Sequence, residues 1–112
     1  MAIDSLTAMG NRHNFNQPSY TNEFSGNQTA LAIITPTTGK KISVKGIYVG
    51  TNATTGKARI YFATSANTAA TIYAADGGSY VPLFAEGAVN EALTLTTTFG
   101  EPTFILVNYS EN

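Results

Sequence analysis

The stretch Lys41-Ile42-Ser43-Val44-Lys45-Gly46-Ile47-Tyr48-Val49-Gly50 decides how the chain folds. Ile42 and Val44 alternate with Lys41, Ser43 and Lys45, the period of two that turns one side of a β-strand to a core and the other to solvent. After Gly46 the apolar residues move to Ile47 and Val49. Such a switch of parity would expose half of the apolar set, so a β-bulge is expected at the glycine, one extra residue that returns both sets to the same side.

The same pattern continues toward the C-terminus. Short β-rich runs alternate with clusters of Gly, Pro, Asn and Asp roughly every ten residues, the signature of a sandwich or barrel. About seven strands are expected, over 30–35, 41–50, 57–64, 69–74, 80–85, 91–98 and 103–111. No interval between them holds a crossover helix, so the sheets should be antiparallel and the fold all-β. Ala58, Ile60 and Phe62 should face inward with Arg59 and Tyr61 outward, and Leu93 and Leu95 inward beneath an outer row of Thr94, Thr96 and Thr98. The last run differs, because Phe104, Ile105, Leu106, Val107 and Tyr109 leave neither side polar. Two readings fit: a strand covered by a neighbouring subunit, or a central strand covered by the chain's own loops and arm.

Toward the N-terminus the pattern stops. Residues 1–28 are polar and irregular, with large apolar side chains widely spaced at Ile3, Leu6, Met9, Phe15, Tyr20 and Phe24. A segment of this kind cannot build a core, but it suits an extended arm that drops side chains into successive surface pockets. The expected organisation is therefore an extended N-terminal arm over 1–28 and a β-sandwich domain over 29–112. Arm contacts are assigned to Ile3, Leu6, Phe15, Tyr20 and Phe24, and subunit contacts to Ile105, Val107 and Tyr109.

Composition narrows the function classes. The chain has 112 residues, of which 12% are charged, and six Lys and Arg against seven Asp and Glu leave a formal charge of −1. That balance lacks the electrostatic footprint of a nucleic-acid binder. No run approaches the ~20 apolar residues of a membrane-spanning helix. The first residues lack the basic and apolar regions of a secretory signal, so synthesis in the cytoplasm is expected. Without cysteine there is no disulfide framework, thiol nucleophile or thiolate metal site.

The search for chemistry yields little that converges. His13, the sole histidine, lies in the arm. Glu86 and Glu91 flank one turn and invite comparison with a glycosidic carboxylate pair, although acids beside a turn are more often simply solvated. The segment from Gly50 to Ala58 approaches a P-loop but has one residue too many between its glycines, Ala58 at the Ser/Thr position and no following helix; a hairpin loop with Gly56 at positive φ is expected instead. Tyr48, Tyr61, Tyr73 and Tyr80 are candidates for an outward platform, and Lys40, Lys41, Lys45, Lys57 and Arg59 for a basic patch. No catalytic, cofactor-binding or metal-ligating residue is assigned, and no small-molecule substrate.

The run from Thr38 to Gly46, Asp76-Gly77-Gly78, the segment from Asn90 to Leu95 and the closing Val107-Asn108-Tyr109-Ser110-Glu111 together resemble small β-sandwich structural proteins of tailed bacteriophages. The resemblance covers residues 30–111 and leaves the arm outside. It implies a jelly-roll-like sandwich, often trimeric, located in the virion. The expected role is that of a capsid decoration, or cement, protein that binds the major capsid protein as a homotrimer and stabilises the assembled shell. The alternative it implies is a tail or fibre accessory module that recognises surface glycans.

Overall fold

The fold was analysed in a computed structural model, which describes residues 19–64, 67–74, 78 and 80–112. Eight strands follow one another: β1 (Ser19–Phe24), β2 (Leu31–Ile34), β3 (Ile42–Thr51), β4 (Lys57–Phe62), β5 (Thr68–Tyr73), β6 (Tyr80–Glu86), β7 (Leu93–Thr97) and β8 (Thr103–Glu111). They form two four-stranded antiparallel sheets, β1-β8-β3-β6 and β2-β7-β4-β5. First pairs with last, second with seventh, third with sixth and fourth with fifth. The chain is thus one long hairpin rolled so that its strand pairs alternate between two sheets, which is jelly-roll topology.

Alternation places the core between the sheets. Ile42, Val44, Ile47, Val49, Ile105 and Val107 point inward from the first sheet, and Ala58, Ile60, Phe62, Ile72, Leu93 and Leu95 from the second. The expected bulge is present: Val44 opposes Tyr109 and Gly46 opposes Asn108, so Lys45 is the extra residue and Ile47 returns to the inner side. Gly56 has φ +101, as its turn demands. The loop carrying it is not a hairpin loop, however, because β3 and β4 belong to different sheets and the connection crosses between them. Gly56 sits so tightly that a Cβ there would lie 2.5 Å from the carbonyl oxygen of Thr98 and 2.9 Å from the Cα of Phe99.

Three sequence-based assignments need correction. The arm does not extend to residue 28, since Ser19–Phe24 forms β1 and pairs along β8. Within it Tyr20 packs against the core and Phe24 is buried there, so neither side chain is a free arm contact. Ile105 and Val107 are both fully buried in the chain's own core, which leaves them no surface to offer another subunit. Tyr109 is half-buried against the same core. β8 is a central strand, between β1 and β3, but Phe104 on its outer side is exposed, so among the described residues the chain's own loops do not cover that side. Ile3, Leu6 and Phe15 lie outside the described residues.

Candidate functional site

The outer side of the β1-β8-β3-β6 sheet is unusually aromatic. In β6 the inward residues are Val81, Leu83 and Ala85, so Tyr80, Pro82, Phe84 and Glu86 face out. Phe84 is 88% exposed and Tyr80 45% exposed. β3 adds Tyr48, and β8 adds Phe104 and Leu106. Tyr48 and Phe104 meet edge to face with ring centroids 6.1 Å apart. Two glycines on the same side keep this surface low. A Cβ on Gly46 would collide with the Tyr80 ring, and one on Gly50 would press on Tyr48 at 3.3 Å. With only hydrogens there, Tyr80 lies across the bulge, where its hydroxyl accepts a hydrogen bond from Asn108 Nδ2 at 2.9 Å.

Charge borders these rings without interrupting them. Lys45 Nζ sits 5.2 Å from the centre of the Phe84 ring, within cation–π range. At the far end of β6, Glu86 accepts a hydrogen bond from Ser43 Oγ at 2.8 Å, and Lys41 Nζ lies 3.4 Å away. The Ser43 hydroxyl, followed by the Lys41 charge, holds the Glu86 carboxyl below its ordinary value. A general acid requires a shift in the opposite direction. Glu91 Oε1 accepts from the Ala88 amide at 3.0 Å, so each member of the suspected pair has its own local partner. The Glu111 carboxyl is also lowered, chiefly by the backbone amide of Thr37, a bond that ties the end of β8 to the β2–β3 loop.

The tyrosine platform and the basic patch both divide between the sheets. Tyr48 and Tyr80 oppose one another on the first sheet, whereas Tyr61 and Tyr73 lie on the outer side of the second. Lys41 and Lys45 belong to the first sheet and Lys57 and Arg59 to the second, so the cations form no continuous surface. Phe84 was not singled out in the sequence, although alternation around Val81, Leu83 and Ala85 was sufficient to place it outward. Among the described residues no group of three or more His, Cys, Asp and Glu side chains is arranged to hold a metal ion.

No protein-family model matches the chain, and neither does any curated protein. Among solved structures it is similar to the nucleoplasmin-like N-terminal domain of Drosophila FKBP39, with a TM-score of 0.47 and 14% identity over 86% of this chain and 90% of that one. The jelly-roll assignment stands on the strand order itself.

Proposed function

We propose that the protein is a virion structural component, a capsid decoration protein that binds the assembled shell through the aromatic outer side of the β1-β8-β3-β6 sheet. The observation that carries the reading is Phe84, a large ring 88% exposed among further outward aromatics. Exposed aromatic clusters with a polar border are the usual anchors of protein–protein contacts. The β6 edge of the same sheet is poorly suited to strand addition, because Pro82 has no N–H to donate. The resemblance to small phage sandwich proteins supplies the shell as partner and the homotrimer as assembly state. Ile3, Leu6 and Phe15 would add arm contacts.

The mechanism is mass action. A protein that binds the assembled lattice but not its separated subunits stabilises the lattice by RT ln(1 + [L]/Kd), and several linked contacts raise its effective concentration at the shell. The test uses shells prepared without this chain and measures co-sedimentation of added full-length protein. Wild type should bind saturably, and Phe84→Asp should bind about thirtyfold more weakly, as for loss of an anchor contributing about 2 kcal/mol. Its melting temperature should be close to wild type, because an exposed substitution changes stability by about 0.5 kcal/mol or less. Undiminished binding of Phe84→Asp would remove this surface from the mechanism.

A further inference from the structure

The aromatic side of the first sheet ends in a recess of about 400 Å³, lined by Ser43, Lys45, Phe84, Ala85, Glu86 and Asn112. Its polar groups are already engaged with one another. Ser43 Oγ donates to Glu86 at 2.8 Å and accepts from Asn112 Nδ2 at 2.6 Å, and Lys41 holds the Glu86 carboxylate from the other side. A polar ligand therefore finds few free partners there. What stays open is the Phe84 ring, covered only by the Lys45 ammonium, and ring surface of that kind calls for an apolar or aromatic side chain.

The chain itself carries such a side chain within reach. Residues 1–18 lie outside the described residues, but the register fixes where they join the sandwich. Ser19 opposes Asn108, and its hydroxyl donates to Asn108 Oδ1 at 2.8 Å, so the chain ahead of it enters at the end of the sheet where Asn112 lies. Pro18 has no N–H to donate to a longer ladder. Asn108 opposes Gly46, and Gly46 opposes Pro82, which places Phe84 two residues beyond the level of entry. From β1 to β6 the sheet spans three inter-strand spacings, about 14 Å. Four extended residues cover about 13–14 Å, and the residue four before Ser19 is Phe15. We infer that, in the free protein, Phe15 of the same chain docks against Phe84 in this recess, so that the arm masks the surface assigned to the shell. Tethering to β1 gives Phe15 a local concentration of about millimolar, so a weak ring contact is sufficient. Attachment then proceeds by exchange: Phe84 is open to the shell only in molecules whose arm is displaced, and the apparent affinity falls by that fraction. The exchange rests on the shell-attachment reading, whereas the docking of Phe15 does not.

The chain contains no tryptophan, so Phe15→Trp in the full-length protein introduces a single reporter. Its emission should be blue-shifted and shielded from acrylamide, and both should stay constant over about a hundredfold dilution, because the contact is within one chain. Adding Phe84→Asp should shift the emission to that of a solvent-exposed indole while leaving the melting temperature close to wild type. Because indole is larger than phenyl, Phe15→Ala in the otherwise unaltered chain supplies a second readout: the Lys45, Phe84 and Asn112 amides should shift in NMR spectra, and those of β4 and β5 should not. Solvent-exposed emission from Phe15→Trp together with unmoved amides in Phe15→Ala would overturn the inference, and so would indifference of the emission to Phe84→Asp. A red shift on dilution would also overturn it, by assigning the recess to the arm of a second copy. These measurements contain no shells, so their failure leaves attachment through Phe84 standing, and failure of attachment leaves the docking of Phe15 standing.

Discussion

Ile105→Ala is expected to destabilise the isolated protein by about 2–5 kcal/mol, lowering its melting temperature by on the order of 10–25 °C. Ile105 is fully buried on the central strand β8, where it packs among Val49, Ile47 and the opposing sheet. Truncation removes three methyl or methylene carbons from a site whose neighbours are held in two sheets, and a rigid site of that kind collapses little around the cavity. Because the lost contacts are within one chain, the destabilisation should not depend on protein concentration. Leu106→Ala, one residue along and on the outer side, should cost about 1 kcal/mol or less. Thermal unfolding at several protein concentrations separates the possibilities. A deficit that grows on dilution would return Ile105 to a subunit interface, and a wild-type melting curve would contradict its place in the core.

Gly56→Ala should cost about 3 kcal/mol. Two effects combine at this position. At φ +101 a residue with a Cβ is strained by about 1–3 kcal/mol, and the added carbon would press on backbone atoms of Thr98 and Phe99, which cannot swing aside as a side chain end can. The backbone there is doubly held, since the Thr98 amide bonds to the Lys57 carbonyl at 2.9 Å and the Ala74 amide to the Gly56 carbonyl at 3.0 Å. Gly39 provides the control. It also has positive φ, +86, but nothing lies within 4 Å of its missing Cβ, so Gly39→Ala should cost only about 1–2 kcal/mol. Denaturant midpoints compare the two directly, and equal losses would show that the close contact at Gly56 contributes nothing.

The parts of the fold legible in the sequence were those set by local alternation. The strands from β2 to β8 fall on the expected runs to within a few residues, and the change of parity at Gly46 located the bulge, because a residue's side of the sheet follows from its position along the strand. β1 was hidden because Thr21, Asn22 and Glu23 give Ser19–Phe24 no apolar alternation, and its partner lies far along the chain, with Ser19 opposing Asn108. The same limit applies to the candidate sites. Parity placed Tyr48, Tyr61, Tyr73 and Tyr80 outward, but which sheet each belongs to depends on non-local pairing, so the expected platform is divided between the sheets, and Tyr61 is buried. In β8 both sides are apolar, and only the pairing with β1 and β3 distinguished Ile105 and Val107 inside from Phe104 and Leu106 outside. Phe84 carries no motif, and its exposure identifies it.

The central claim, that this chain acts by coating an assembled protein shell, is tested most directly by measuring its molar ratio to the major capsid protein in purified particles encoded by the same genome. Decoration predicts a fixed ratio of small whole numbers, reproducible between preparations, because a lattice offers its sites in proportion to its subunits. Absence from the particles, or a trace far below that ratio, would contradict the claim.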